Sequence, residues 1–192
     1  MTKFILASNS PRRQEIFRKL NIEFEVITAD IEEIIDNNIP PYRLACDLAY
    51  QKASNIITHI QGDGIIIAAD TIVYNNGVFG KPHNHQAAYE MIKSLSGKTH
   101  EVITGLAIID TNTNKEVKEY EITKVHFRKI EDEEIYKYIA TGEPMDKAGG
   151  YGIQGKASLF IRKIDGDYYN VVGLPVYKLG EILKNKFDIS LL

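Results

Sequence analysis

Short apolar runs and amphipathic stretches alternate along this chain. Residues 4–7 and 64–69 are continuous apolar runs, which are typical of buried strands. Apolar residues recur at helical spacing after Pro11 and again after Pro41, and proline favours the first position of a helix. The full pattern predicts helices over 11–20, 41–59, 85–95, 132–139 and 175–186, and strands over 4–7, 23–27, 64–69, 72–74, 99–109, 116–130 and 159–164.

The middle of the chain changes character. Segments 99–109 and 116–130 alternate and are rich in β-branched residues, and a polar segment, 110–114, joins them. This pattern predicts a long hairpin, so the sheet is mixed rather than all parallel. Because helices and strands otherwise alternate, the sequence predicts an α/β fold with flanking helices, in which the hairpin forms a partly separate lobe.

Length and charge narrow the class of protein. No linker or repeat divides the 192 residues, so 1–192 is predicted to form a single domain with two lobes. A net charge of −3 argues against binding to nucleic acid or to a membrane surface, which usually needs a basic protein. The sequence shows neither a signal peptide nor an apolar run of membrane-spanning length, so a cytoplasmic location is expected.

The cysteine and histidine residues offer few candidates for a disulfide, a metal site or a nucleophile. The single cysteine, Cys46, excludes an internal disulfide and a thiolate metal cluster. It lies in a predicted helix between Leu44 and Leu48, so a small core residue is expected rather than a nucleophile. His83 and His85 lie two apart in a loop, and an exposed pair is favoured over a transition-metal site.

The most informative segment, 8–13, reads S-N-S-P-R-R and joins the first predicted strand to the first predicted helix. Ser10 suits the N-cap and Pro11 the first helical position. Arg12 and Arg13 then fall in the first turn, where the helix dipole favours acids. Bound phosphate would resolve this arrangement, because backbone N–H groups and guanidinium forks both match its oxygens. Two arginines that simply point into water are the alternative.

Asp70 interrupts an apolar run that extends over 65–73. A buried carboxylate is costly unless it meets a cation, a metal or several donors. Open α/β sheets bind their ligands beyond the carboxyl ends of the strands. Asp70 is therefore the best candidate for a general base or a metal ligand, and the alternative is a turn residue that ends the strand.

Other charged residues are weaker candidates. Glu32 or Glu33, in an acidic loop, could help Asp70 to hold a divalent cation through oxygen ligands. Lys52 and Lys81 could contact a polyphosphate as point charges, although exposed lysines are the commoner case.

The glycine-rich segment 150–155 matches G-x-G-x-x-G, the pattern of dinucleotide-binding loops. No strand precedes it, and a strand rather than a helix is predicted to follow it, so that interpretation is rejected. The glycines instead predict a tight loop that brings Asp146, Lys147 and Gln154 near a ligand, with a purely structural loop as the alternative. No G-x-x-x-x-G-K-[ST] segment is present, which excludes a P-loop nucleotide site.

Several motifs together resemble the Maf family of nucleotide pyrophosphatases. The resemblance extends from the first predicted strand to the last predicted helix. Each motif alone is weak, but their order and spacing are specific. The motifs are L-A-S-N-S-P-R-R at 6–13, A-A-D-T-I-V at 68–73, G-K-P at 80–82, L-S-G-K-T-H at 95–100, T-G-E-P at 141–144, D-K-A-G-G-Y-G-I-Q-G at 146–155 and V-V-G-L-P at 171–175.

The resemblance implies a fold and a reaction. It implies a mixed α/β fold with a twisted sheet, related to the inosine triphosphate pyrophosphatases, with a cleft between two lobes. It also implies hydrolysis of a nucleoside triphosphate to the monophosphate and pyrophosphate with a divalent cation, Mg²⁺ or Mn²⁺. The A-D-T and Y-G-I-Q-G segments resemble the branch that acts on dTTP and UTP, rather than the branch that prefers 7-methyl-GTP. The oligomeric state stays open, with a homodimer among the options.

The resemblance also implies roles for particular residues. Asp70 corresponds to the proton acceptor, and Asp70 with Glu33 would hold the metal. The family pattern matches Ser8, Arg13, Glu33, Lys52 and Lys81 to positions that line the phosphate and metal site, and Arg12, Thr71 and Gln154 to positions associated with base preference.

Two hypotheses for function follow. The favoured one is a metal-dependent pyrophosphatase in which water attacks the α-phosphorus of dTTP or UTP, with a nucleotide as its small-molecule partner. The alternative is a nucleotide-sensing regulator of cell division with little turnover, because the family name derives from septum inhibition. The set of carboxylates and cations favours catalysis, since a sensor would not require Asp70.

Overall fold

The computed structural model describes residues 3–28, 33–36 and 38–192. The described residues form one seven-stranded sheet in the order β2-β1-β3-β5-β6-β7, with β4 paired to β3. The strands are β1 (Phe4–Leu6), β2 (Phe24–Val26), β3 (Ile65–Tyr74), β4 (Val78–Phe79), β5 (Thr99–Asp110), β6 (Lys115–Phe127) and β7 (Ile161–Asp165). The helices are α1 (Pro11–Lys19), α2 (Pro41–Asn55), α3 (His85–Leu95), α4 (Asp132–Ile139), α5 (Tyr168–Val172) and α6 (Val176–Phe187).

The sheet is mixed, as the sequence predicts. β1 pairs in parallel with β2 and with β3, whereas β6 and β7 pair antiparallel. The mixed α/β fold with flanking helices is therefore confirmed. The chain divides into two compact units, and β3, β5 and β6 contribute residues to both.

The first unit comprises Met1–Asp70, Thr104–Glu121 and Gly173–Leu192. Its core joins the apolar face of α2 to β1, β3 and β5 through small and branched side chains. Gly105 lets α2 approach β5 closely, because a Cβ atom there would lie 2.2 Å from the backbone of Ala45. This close contact fixes the helix that carries Lys52.

The parallel pairing brings two predicted site segments to the same part of this unit. Leu6 lies opposite Ile67, and the backbone N–H of Ala7 donates to the carbonyl of Ile67 at 2.9 Å. Ser8 therefore leaves the sheet beside the part of β3 that carries Asp70. Neighbouring parallel strands deliver polar residues to one edge in this way.

The second unit comprises Thr71–Ile103 and Ile122–Val172. Its core packs α3 and α4 against aromatic side chains that include Phe127, Tyr151 and Phe160. A capping box between Glu131 and Glu134 begins α4. The unit thus has its own apolar interior.

Several element boundaries differ from the sequence prediction. α2 ends at Asn55, and a 3₁₀ turn over Ile57–His59 replaces its predicted last turn. The strand predicted from 159 begins at Ile161, after a 3₁₀ segment over Lys156–Phe160. Ala157 and Phe160 are buried and Leu159 is 73% exposed, a spacing of three that suits a 3₁₀ turn rather than a strand. The short helix α5 was not predicted.

The prediction that Cys46 is a core residue is wrong. The residue is only partly buried, and its thiol donates to the carbonyl of Glu119 at 3.2 Å. The buried face of α2 runs through Leu44, Ala45 and Leu48, which places Cys46 to one side of it. Burial raises the pKa of the Cys46 thiol to about 11, so the residue is a poor nucleophile, as expected.

Candidate active site

Asp70 lies inside β3 rather than at its end. Its side chain is 14% exposed, and the five residues before it are buried. The alternative of a turn residue is therefore wrong. The ammonium of Lys52, on α2, donates to Oδ1 of Asp70. This ion pair offsets the cost of placing a carboxylate in a buried strand.

Lys52 joins two acidic residues. Besides Asp70, its Nζ lies 3.0 Å from Oε1 of Glu33. Glu33 comes from the acidic segment, in which Glu32 lies outside the described residues. One ammonium therefore brings together two carboxylates that are far apart in sequence, and the trio carries a formal charge of −1.

Arg13 and Ser8 form a second group of contacts. The Nε of Arg13 donates to the carbonyl of Gly173 at 2.7 Å, and its Nη1 donates to Oγ of Ser8 at 3.2 Å. The backbone N–H of Ser10 also donates to that Oγ, at 3.2 Å. A serine hydroxyl has two acceptor positions and one donor. With both acceptor positions of Ser8 used, its O–H is the group that can donate to a ligand oxygen.

The electrostatics link the two groups. Burial lowers the pKa of the Arg13 guanidinium, the nearby carboxylates of Asp70 and Glu33 oppose this shift, and the charge of Arg12 adds to it. An arginine stays protonated despite such a shift, so Arg13 remains a cation. Arg12 is half-buried in the first turn of α1. Three cations and two carboxylates therefore lie close together in the first unit.

The first turn of α1 begins where the sequence predicts. Pro11 is the first helical residue, and Ser10 is the N-cap. The side chain of Ser10 makes no capping hydrogen bond, and the first turn contains no acidic residue. The N–H groups of this turn and the two arginines therefore form a positive environment, which suits an anion.

The chain matches the model of one protein family over nearly its whole length. That model, described as "Maf-like protein", matches residues 3–186. The chain belongs to the Maf family. A protein of Alkaliphilus oremlandii named dTTP/UTP pyrophosphatase is 56% identical over 192 residues, with 100% of both chains covered. A protein of Bacillus cereus with the same name is 49% identical over 191 residues, which cover 99% of this chain and 98% of that protein.

Solved structures similar to this Maf chain are distant in sequence. A HAM1 protein from Coxiella burnetii is 15% identical and covers 66% of this chain and 73% of its own, with a TM-score of 0.47. A nucleoside-triphosphatase described as dITP/XTP pyrophosphatase, from Mycobacterium abscessus, is 14% identical and covers 67% and 74%, with a TM-score of 0.42. The cleft between two lobes stays a prediction.

Three further residues that the Maf resemblance points to lie in the second unit. Thr71 is half-buried in β3, directly after Asp70. Lys81 is exposed in the loop after β4, where the carbonyl of Gly80 accepts from the N–H of Gly149 at 3.0 Å. Gln154 is exposed in a turn that the N–H of Gly155 closes on the carbonyl of Gly152 at 3.1 Å. The roles expected for these residues stay predictions.

The glycine-rich loop is held by Glu143. The carboxylate of Glu143 accepts from the N–H of Lys156 at 3.0 Å and from the hydroxyl of Tyr138 at 3.0 Å. A Cβ atom on Gly155 would lie 2.2 Å from this carboxylate, so a larger residue there would displace the side chain of Glu143. A 3₁₀ segment follows the loop instead of a helix, which agrees with the rejection of a dinucleotide-binding motif.

Sequence reasoning missed three features. Gly173 accepts from Arg13, and the only signal was its place in the V-V-G-L-P segment. Gln51 contacts the backbone beside Glu33, with no signal in the sequence. His126 links Thr99 and Asp165, at 2.8 Å on each side. Thr99, His126 and Asp165 lie on β5, β6 and β7 respectively, so cross-strand pairing accounts for the two contacts of His126.

The described part of the chain contains no helix that is long and apolar enough to span a membrane.

The residues at Asp70 and Glu33 fit a hard divalent cation. Their carboxylates both contact the Nζ of Lys52, so the pair already meets at one positive charge. Mg²⁺ in nucleotide enzymes is usually held by one or two carboxylates together with phosphates and water. The donor set therefore suits the cation that the Maf resemblance implies.

Proposed function

We propose that this chain hydrolyses nucleoside triphosphates, with dTTP and UTP as preferred substrates, to the monophosphate and pyrophosphate. The observation that carries the proposal is the meeting of Arg13, Lys52, Glu33 and Asp70 in one unit. Membership of the Maf family supports it, as do full-length relatives named dTTP/UTP pyrophosphatase.

The positive groups bind the triphosphate. Arg12 and Arg13 present guanidinium donors, which match phosphate oxygens in geometry and charge. The O–H of Ser8 donates to a further oxygen, because Arg13 and Ser10 use the acceptor positions of the hydroxyl. Lys52 supplies another positive charge once a ligand competes for its carboxylate partners.

Asp70 accepts a proton from the attacking water. The water oxygen forms a bond to the α-phosphorus, the bond from that phosphorus to the pyrophosphate oxygen breaks, and the proton passes to a carboxylate oxygen of Asp70. The ion pair with Lys52 keeps the carboxylate oriented. Catalysis then consists of positioning and charge neutralisation, without a covalent intermediate.

Asp70 and Glu33 are the residues that would hold a divalent cation, Mg²⁺ or Mn²⁺. When bound, such a cation neutralises phosphate charge and favours departure of pyrophosphate. Asp70 would thus supply a ligand to the cation in addition to its proposed role as proton acceptor.

Base selection is proposed for Arg12, Thr71 and Gln154. A preference for dTTP and UTP requires side chains that distinguish a pyrimidine from a larger purine. Gln154 and Thr71 carry side-chain groups that donate and accept hydrogen bonds, as recognition of a base edge requires. Rates of pyrophosphate release across common and modified nucleoside triphosphates identify the physiological nucleotide.

Asp70→Asn tests the proposal. The substitution removes the proton acceptor and keeps the size of the side chain, so pyrophosphate release from UTP is expected to fall by roughly 10²- to 10⁴-fold. The measurement is pyrophosphate release with Mg²⁺ or Mn²⁺ present. Asp132→Asn is the matched control, because Asp132 forms an exposed ion pair with Lys93 on α3.

Full activity of Asp70→Asn would refute the assignment. UTP binding by the unmodified chain without release of pyrophosphate would instead support the nucleotide sensor. That alternative is not favoured, because binding alone gives no reason to place a part-buried carboxylate in the middle of β3 and to pair it with Lys52.

A further inference from the structure

Gln51 forms two hydrogen bonds with the backbone of Ile34, one through the oxygen and one through the nitrogen of its side-chain amide. Its Oε1 accepts from the N–H of Ile34 at 2.9 Å, and its Nε2 donates to the carbonyl of Ile34 at 3.0 Å. This paired arrangement reproduces the contacts between neighbouring strands, with a side chain in place of one strand. It ties residue 34 to α2 in both position and orientation.

Lys52, the residue after Gln51 on α2, contacts Glu33, the residue before Ile34 in the loop. Lys52 lies beside Gln51, Glu33 lies beside Ile34, and Nζ of Lys52 is 3.0 Å from Oε1 of Glu33. Two consecutive helix residues thus hold two consecutive loop residues. The backbone contact limits where the Glu33 carboxylate can reach, because only the backbone ψ angle of Glu33 and its three side-chain torsions lie between the two.

Burial of apolar surface does little to hold this segment. The side chains of Ile34 and Ile35 are 75% and 56% exposed. Between the segment and α2 there is an open groove of about 290 Å³, lined by Ile34, Asp36, Leu44 and Tyr50 among others. Because the groove separates the segment from α2 and its apolar side chains lie in solvent, the segment depends on its hydrogen bonds to α2.

We propose that Gln51 is a positioning residue for Glu33, fixing its carboxylate where it can share a divalent cation with Asp70. This inference rests on the proposed function, since it assigns Glu33 to a cation. Gln51 touches neither substrate nor cation; it acts through the backbone of Ile34. Groups that orient metal ligands typically change metal affinity or activity by roughly 10- to 100-fold when they are removed.

Gln51→Met tests the inference. Methionine keeps the length and helix propensity of glutamine and removes both hydrogen bonds to Ile34. Binding of Mn²⁺ alone, followed by the electron paramagnetic resonance signal of the free ion, is expected to weaken roughly tenfold or more. Amide hydrogen exchange in the peptide that covers 33–36 is expected to accelerate. Asn55→Ala is the matched control, because Asn55 lies on the same helix, is exposed and donates from its side-chain amide to the carbonyl of Gln51.

The kinetics supply a third readout. In Gln51→Met, the Mn²⁺ concentration that gives half-maximal pyrophosphate release should rise by the same factor as the dissociation constant. At saturating Mn²⁺, kcat should recover to within about threefold of the unmodified chain, because the displaced Glu33 is then recruited by mass action. A purely structural role would instead lower kcat at every metal concentration. Gln51→Ala is the second variant if the methionine variant does not fold.

Unchanged Mn²⁺ affinity in a folded Gln51 variant would overturn the inference, and so would equal weakening in Asn55→Ala. Absence of Mn²⁺ binding to the unmodified chain would also overturn it. Failure of the proposed function has a different signature: the unmodified chain would bind Mn²⁺ but release no pyrophosphate from UTP or dTTP. The metal-binding and exchange measurements would then still decide the role of Gln51.

Discussion

At the scale of single residues, Arg13 links α1 to two other parts of the candidate site. Its guanidinium donates to the carbonyl of Gly173 and to the hydroxyl of Ser8, and it interacts electrostatically with Asp70 and Glu33. A planar fork can make these contacts and still direct N–H groups at a ligand. A lysine ammonium has one nitrogen, so it cannot hold Gly173 and Ser8 in the same geometry.

Arg13→Lys is therefore expected to weaken substrate binding even though the charge is kept. Loss of hydrogen bonds to a charged group costs about 1.5–3 kcal/mol, so kcat/KM for UTP should fall by roughly 10- to 100-fold. Steady-state pyrophosphate release measures the change. The matched control is Arg18→Lys on the same helix, where Arg18 is exposed and bonds to Gln14. Equal losses in the two variants would contradict a specific role for Arg13.

At the scale of elements, the docking of α2 on β5 decides where the site residues lie. α2 carries Gln51 and Lys52, and Gly105 of β5 leaves room for the helix backbone at Ala45. Because backbone atoms cannot give way as a flexible side chain can, a larger residue at 105 must push the helix as a whole. The site thus depends on a contact that none of its own side chains makes.

Gly105→Ala is expected to destabilise the protein by about 1–3 kcal/mol, the usual cost of overpacking a tight contact. Urea unfolding followed by circular dichroism gives the free energy of unfolding. Gly180→Ala is the matched control, because a Cβ atom at Gly180 of α6 has nothing within 4 Å. That control should be neutral or should stabilise by about 1 kcal/mol through helix propensity. A Gly105→Ala variant as stable as the control would show that α2 is not tightly docked.

At the scale of the whole molecule, the two units have separate cores, and one of them contains a buried histidine. His100 is 2% exposed in the second unit, and its Nε2 lies 2.6 Å from the hydroxyl of Tyr151. Its Nδ1 is buried without a hydrogen-bond partner among the described residues. Burial, and secondarily the charge of His126, lower the pKa of His100 to about 4.

This lowered pKa predicts a loss of stability in acid. The unfolded chain binds a proton at His100 near its ordinary pKa, whereas the folded chain does so only near pH 4, so the stability present above about pH 6.5 declines as the pH falls towards 4. The expected loss is about 3 kcal/mol, on top of the contribution of the carboxylates. His100→Gln should remove this part of the pH dependence, as measured by urea unfolding between pH 7 and pH 4.

His59→Gln is the control for that measurement, since His59 is exposed and its ring Nδ1 contacts the carbonyl of Asn55. Its pH profile should follow that of the unmodified chain. Parallel profiles for the unmodified chain and His100→Gln would contradict the prediction.

The sequence predicts the regular elements well where local signals are strong. The bounds of α3 and α4 agree with the prediction, because Asn84 caps the first and a capping box begins the second. The 3₁₀ segments were missed, since their burial depends on the packing of Phe160 rather than on a periodic pattern.

The candidate site was predictable as a set of residues but not as a geometry. Asp70 and the two arginines violate local expectations for a strand and a helix start, which is a signal that one sequence can carry. The contact of Arg13 with Gly173 joins residues 160 positions apart, and no local pattern encodes it. The Gln51 contact has the same origin, in the packing of a loop onto α2.

The ammonium of Lys52 acts as an internal counter-ion. It lies between Asp70 and Glu33, where it supplies the positive charge that a metal ion would otherwise supply. It belongs to α2, the helix whose apolar face packs in the core of the first unit. In the folded chain, the ammonium thereby reduces the mutual repulsion of these acids. The close approach of the two acids therefore does not itself require an ion from solution, in contrast to zinc domains whose folding requires the metal.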